Sequence, residues 1–296
     1  IVTVLFGIAA EELTDEQLLA YPEDGQPSAM LNPSVQALPF GSYLFALSYY
    51  PIFIMVLHVN WNVLCWSVRG LNSDAKQLAL SNAINCVVVL LSVCERPKNL
   101  LLITLSLSLA ARRFDQFAFV PSRGDLGGIV TIWNSTIFSA NVLLSEDFAL
   151  VTRFKSTQSA QCWTLVNVYG PCQGEQREQF IQWLCSLNIP SIEDCLFVCD
   201  FNFIRAPDNR NKPGGSINDM NTFNDFIRCQ SLIELPIKGC SFTSSNMQID
   251  PLLEQLDWFL TSNNWTSSYP NTIVMPLGKP VSDHIPCVVK IETSIP

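Results

Sequence analysis

What most constrains this chain is a short apolar run that ends on polar residues: Cys195-Leu196-Phe197-Val198-Cys199, then Asp200-Phe201-Asn202. Such a run, stopping abruptly at Asp-x-Asn, predicts a buried strand that delivers two polar side chains to the rim of a sheet. A carboxylate and a carboxamide two residues apart point to the same side of an extended chain. One can take a proton from water while the other orients it. Taken alone, a strand followed by an Asx turn accounts for the same residues. A second feature shifts the weight. The chain has two histidines, and one stands in Ser282-Asp283-His284, directly before the apolar run Ile285 to Val289. If both points serve one site, the chain must supply between them what a metal and a phosphate need.

At 296 residues, one large domain or two small ones can be built around a substantial core. The net charge of −9 is unevenly spread. Residues 1–68 hold six acids and no Lys or Arg; of the 26 acids, 20 remain from position 69 onward against 17 basic residues, a net of −3. The main body is nearly balanced, which is compatible with a polyanionic substrate and excludes a strongly basic, non-specific nucleic-acid binder. The 11 cysteines are scattered and contain no C-x-x-C pair, which argues against a zinc site. Cys65, Cys86 and Cys195 lie inside apolar runs and read as buried free thiols. The chain is read as intracellular and reduced, so the Asn134 and Asn264 sequons carry no weight.

The chain opens on Ile1 rather than Met and is read as a fragment or an incomplete gene model. Residues 1–51 form a poorly ordered acidic and apolar leader: Ile1 to Ala10 lacks the basic flank of a signal peptide, and four prolines interrupt 11–42. Tyr43 to Val59 is short for a membrane span and contains Pro51; no stable membrane association is expected, and Ile52 to Val59 leads toward a first strand. His58 reads as a core or interface histidine.

Trp61 to Leu71 predicts a strand ending in an Arg-Gly turn, then a helix capped by Asn72 or Ser73 with Leu78, Leu80 and Ile84 buried. Cys86 to Val93 predicts a strand buried on both faces. Leu100 to Ala111 has no clear period and looks foreign. Further strands are predicted at Phe117–Val120, Ile129–Trp133, Ala149–Phe154, Trp163–Val168 and Gln255–Leu260, with helices at Glu175–Leu187 and Asp219–Cys229. Arg205, Arg210 and Lys212 form a basic loop beyond Asp200, read either as a solvated turn or as contacts to a phosphate backbone.

In that order, strand–Trp-x-Val-Arg-Gly, strand–Asn-x-Tyr-x-Pro, strand–Asp-Phe-Asn, Leu-Asp-x-Phe and Ser-Asp-His resemble the endonuclease/exonuclease/phosphatase superfamily, the DNase I-like fold. Residues 112–293 look closer still to the endonuclease domain of plant LINE-type retrotransposons, through phrases such as NVYGPC, DFNFIRAPDNRNKPGG, LLEQLDWF and PLGKPVSDHIPC. The resemblance covers 60–93 and 112–293; each motif alone is weak, and five in order are strong. It implies a four-layer α/β sandwich over 52–296, two mixed sheets face to face with helices outside. It implies that Asp200 activates water or protonates the leaving oxygen, Asn202 orients it, and Tyr169 holds the scissile phosphate. His284 would stabilise charge on that phosphate, with Asp257 fixing its imidazole. Asp283 would help hold Mg²⁺ or Mn²⁺, and Arg205, Arg210 and Lys212 would meet DNA. A monomer in the nucleus is the expectation that follows.

Two departures stand against this. The resemblance expects a metal-site Asn where Ser67 stands, and the Glu of a Gln-Glu-Thr motif near Glu95, which here sits in Cys94-Glu95-Arg96. A shifted reading frame over roughly 91–111 would explain the second. Cys199, usually Gly, and Ser244, usually Trp, are further drift. Three functions follow: a metal-dependent endonuclease, a decayed relic that keeps the fold with at most weak DNA binding, and a phosphatase on lipid or inositol phosphates, against which the retroelement likeness argues.

Overall fold

The computed structural model describes residues 60–68, 74–85, 90–95, 114–122, 128–172, 174–187, 193–278 and 282–292. The expected leader, the Tyr43–Val59 run, His58, the Arg69-Gly70 turn and residues 96–111 lie outside them.

In chain order the strands are β1 (Asn60–Val68), β2 (Leu90–Glu95), β3 (Gln116–Val120), β4 (Gly128–Trp133), β5 (Phe138–Glu146), β6 (Ala149–Ser156), β7 (Cys162–Tyr169) and β8 (Cys195–Asp200). Short strands follow: β9 (Ile233–Glu234), β10 (Ser244–Ser245), β11 (Leu253–Glu254), β12 (Leu260–Thr261) and β13 (Ile273–Pro276), before β14 (Cys287–Glu292). The helices are α1 (Asp74–Asn85), α2 (Glu175–Ser186), α3 (Ile217–Cys229) and the single turn α4 (Trp265–Ser268).

One six-stranded sheet has the order β13-β14-β1-β2-β4-β3, the other β5-β6-β7-β8-β12-β9. Both are mixed: β1 and β2 run parallel, as do β7 and β8, and the other pairs are antiparallel. Side-chain alternation along each central strand feeds two different cores. Trp61, Val63 and Cys65 of β1 meet Leu165, Leu196 and Val198 between the sheets. Leu64, Trp66 and Val68, one residue out of phase, pack on Leu80 and Ala83 of α1. Cys195 and Phe197 of β8 pack outward with Phe180 and Leu184 of α2 and Phe223 and Phe226 of α3. The result is the expected sandwich of four layers, helix, sheet, sheet, helices.

Local differences from the sequence reading have physical causes. In α1 Leu80 is buried but Leu78 is 63% exposed; Ala83 takes the place beside Leu80. Of the strand expected at Gln255–Leu260 only Leu260 lies in one, at the start of β12; before it the Leu256 and Asp257 amides donate to the Thr243 side-chain oxygen instead of to a neighbouring strand. Of the segment suspected of a shifted frame, roughly 91–111, Leu91–Glu95 lies in β2, paired between β1 and β4 in the middle of its sheet. Cys65 and Cys195 are buried free thiols, as read, and Cys199 and Cys287 join them. No helix among the described residues is long and apolar enough to cross a membrane.

Candidate active site

Parallel pairing of β7 with β8 sets Tyr169 opposite Asp200, so both strands end at one rim. Just beyond, the Gly170 amide donates to the Asp200 carbonyl at 2.7 Å. A Cβ at Gly170 would lie 2.3 Å from the Phe201 carbonyl oxygen, so the approach of these two exits admits only glycine. Alternation turns Leu196, Val198 and Asp200 toward the first sheet; Cys199, which should face away, joins the inter-sheet core as well and is held at φ +85°. Asn202 follows at φ +54°, its amide donating to Asp200 Oδ1 at 3.0 Å. Asp200 and Asn202 therefore share a side through an Asx turn, not through extended chain. The Asn202 side chain donates from Nδ2 to the Gly170 carbonyl at 2.5 Å.

His284 is brought in by the loop before β14. Its backbone bridges Ser244, and its carbonyl accepts from Trp66 Nε1 at 3.2 Å. Its Nδ1 lies 2.8 Å from Asp257 Oδ2, and its Nε2 lies 3.7 Å from Asp200 Oδ2. A carboxylate at Nδ1 fixes the proton there and turns Nε2 toward Asp200. Asp257 bridges Asp200 through the backbone. Thr243, fully buried, anchors both partners: its Oγ1 accepts from the Leu256 amide at 3.1 Å and the Asp257 amide at 3.0 Å, and its carbonyl accepts from the Ile285 amide at 2.9 Å. Nothing in the phrase Ser-Phe-Thr-Ser-Ser-Asn marks this threonine, because a buried hydroxyl facing backbone amides has no sequence signature.

The electrostatics follow from burial. Asp200 is 3% and His284 6% exposed. Loss of water raises the Asp200 pKa; the imidazole's charge draws it down and Asp257 pushes it up, leaving it at about 7. Burial alone would lower the His284 pKa, but the charges of Asp257 and Asp200 outweigh it and raise it to about 10. Near neutrality the site is an imidazolium held between two carboxylates, one of them poised to exchange its proton.

Asp200 and His284 line a cleft of about 270 Å³, together with Ser67, Tyr169, Asn202, Asp283 and the β10–β11 hairpin, while Asp257 lies behind His284. Ser67 donates from Oγ to Asp200 Oδ2 at 3.4 Å, a long bond. Asp283 is half-buried and its Oδ1 accepts from Ser282 Oγ at 3.2 Å. The described groups able to share one ion within 4.8 Å are Asp200, Asp257 and His284, and this set does not include Asp283. Glu95 closes β2 directly beside Val68, at the same rim as Ser67; its side chain is outside the described atoms. The cleft's oxygen donors, from Asp200, Asp283 and Ser67, are the hard ligands that Mg²⁺ or Mn²⁺ takes, so the donor chemistry fits such an ion.

The basic loop is placed elsewhere. Arg205 pairs with Glu234, donates from Nε to Asn224 Oδ1 at 2.9 Å and lies over Trp258. Arg210 faces Glu254 at 3.7 Å, and Lys212 meets Asp250 at 2.7 Å. Each cation is opposed by a carboxylate of the chain itself, and no Lys or Arg lines the cleft among the described residues.

No protein-family model and no curated protein matches the sequence. Solved structures do. The endonuclease domain of TRAS1, a telomere-specific non-LTR retrotransposon, superposes with a TM-score of 0.57 at 13% identity, over 79% of this chain and 99% of that one. This is the DNase I-like fold. The AP endonuclease LMAP of Leishmania major matches with a TM-score of 0.56 at 16% identity, over 79% of this chain and 88% of that one. An endonuclease/exonuclease/phosphatase family protein of Bacteroides thetaiotaomicron matches at 0.54 and 10%, over 80% and 99%. In this DNase I-like sandwich the rim where β1, β2, β7 and β8 end carries Ser67, Glu95, Tyr169 and Asp200 together.

Proposed function

We propose that this chain is a divalent-metal-dependent phosphodiesterase that nicks DNA, of the kind borne by plant LINE-type retrotransposons and acting in the nucleus. The observation that carries the reading is the buried line Asp257–His284–Asp200, of which His284 and Asp200 line the cleft. Phosphodiester cleavage concentrates negative charge on non-bridging oxygens, and a fixed cation with no reorganisation left to make is the group that stabilises it. His284, held cationic by Asp257, supplies that charge. Asp200, near 7, takes a proton from water or returns one to the leaving oxygen. Asn202, tied by its amide to Gly170, offers its carbonyl oxygen to the water, and Tyr169 hydrogen-bonds the phosphate. Asp283 and Glu95, with the Ser67 hydroxyl, would hold Mg²⁺ or Mn²⁺. A divalent ion bound there adds Lewis-acid stabilisation of the same phosphate oxygens.

Ser67 supports a second reading, a relic that has kept the fold and lost the metal. Its hydroxyl reaches Asp200 only at 3.4 Å, where the resemblance expects a longer carboxamide. Supercoiled plasmid and a soluble inositol phosphate, offered side by side to the purified chain with Mg²⁺, separate the readings. Nicking without phosphate release is the expected result. Phosphate release without nicking would assign the chain to phosphatases. Silence on both, with nicking gained by Ser67→Asn, would establish the relic.

A further inference from the structure

We infer that Arg177 is a positioning residue for the cleft: a single guanidinium that sets the spacing between the loops carrying Tyr169 and Asn202. The inference rests on the nuclease reading for its effect on rate, though not for its geometry. Arg177 sits in the first turn of α2, where a cation is disfavoured by the helix dipole. Its contacts show what it does there instead. Nη1 donates to the Pro171 carbonyl at 3.1 Å and to the Asn202 carbonyl at 3.0 Å. Nε and Nη2 both donate to Asp219 Oδ2 on α3, at 3.1 and 2.8 Å. The guanidinium lies 4.0 Å above the Phe203 ring. The group is thus fixed on one side by an ion pair and a ring, and on the other it binds one carbonyl from each loop.

Those loops need fixing. The parallel ladder ends at Tyr169 and Asp200. Beyond it the two exits are joined by the Gly170 amide and by the Asn202 side chain. Asn202 is a non-glycine residue at positive φ, a conformation that persists only where its surroundings over-determine it. Pro171 lies two residues after Tyr169, and Asn202 two after Asp200, so a clamp on these carbonyls holds Asn202 against the strand end that carries Tyr169. Lysine cannot replace it: one ammonium presents no planar fork able to serve two carbonyls and a carboxylate at once.

The test compares wild type with Arg177→Ala, Arg177→Lys, Asn202→Ala and the Arg177→Ala/Asn202→Ala double variant, and with Asp219→Asn, which loosens the guanidinium's anchor but keeps both carbonyl bonds possible. In plasmid nicking, both Arg177 variants should lose about 100-fold in kcat, the effect of a misplacement near 1 Å, with KM within about threefold. In the Asn202→Ala background the Arg177→Ala change should cost far less, because it acts through that residue. Asp219→Asn should lower kcat by less than either Arg177 variant. Full additivity in the double variant, or a loss confined to KM or to melting temperature, would overturn the inference. A second readout does not depend on nicking. Hydrogen exchange at the Gly170 amide should quicken in Arg177→Ala while the Val166 amide in mid-β7 stays protected. Unchanged protection at Gly170 would refute the clamp even if the wild-type chain cleaved nothing; a silent wild type with lost protection would refute only the nuclease reading.

Discussion

Asp200 is a carboxylate whose surroundings oppose its charge. With Asp200 at about 7 and His284 at about 10, a reaction that needs ionised Asp200 and cationic His284 should follow a bell. Its rate should rise through about pH 7 and fall near pH 10, as initial nicking rates across that range would show. Stability carries the mirror sign. A carboxyl whose folded pKa is raised from 3.8 to about 7 contributes stability that is present below 3.8 and lost as pH rises through 7. Asp200→Asn should therefore raise the melting temperature most at pH 8, less at pH 5, and leave it nearly unchanged below pH 3.8, where the carboxyl is neutral both folded and unfolded. Cys199 yields a companion test. At φ +85°, alanine keeps the backbone strain and glycine relieves it, so Cys199→Gly should be more stable than Cys199→Ala by about 1 kcal/mol in denaturant melts. Asp200 and Asn202 were legible in sequence because an apolar run stops at them, and His284 because one begins just after it; Asp257 was reached only through the resemblance. Thr243 and Arg177 were not legible: their roles consist of bonds to backbone groups far along the chain.

The paired ends of β7 and β8 are the element on which the site depends. Gly170→Ala places a methyl against the Phe201 carbonyl, and about 3 kcal/mol of stability should be lost, together with activity. Thr243→Val keeps the shape but leaves the Leu256 and Asp257 amides without an acceptor. The expected cost is about 2 kcal/mol, read by chemical denaturation. The central strands were readable because burial on both faces gives continuous apolar runs, as in β4 and β8. The edge strand β5 was not: most of its residues are exposed or half-exposed, and Phe-Ser-Ala-Asn-Val-Leu-Leu-Ser-Glu shows no alternation. The two- to four-residue strands β9 to β13 are too short to carry a period, and the pull of Thr243 on residues 256 and 257 hid the break in the one that looked long.

Over the whole molecule, the four layers place two sheet ends face to face, and the cleft lies where they meet. The motif order pointed to this architecture, while the loops it could not address are those whose cations pair internally. A chain of net charge −9, with Arg205, Arg210 and Lys212 opposed by its own carboxylates, should hold DNA through few phosphate contacts. The logarithm of its DNA affinity should fall with the logarithm of salt no more steeply than a slope of about −3. The central claim, that the His284 line cleaves a phosphodiester with a divalent ion, is tested most directly by plasmid nicking with Mg²⁺, with EDTA, and with His284→Ala. Nicking that needs the metal and falls about 1,000-fold in the folded variant is the predicted result. Nicking that persists in EDTA, or survives His284→Ala unchanged, would contradict it.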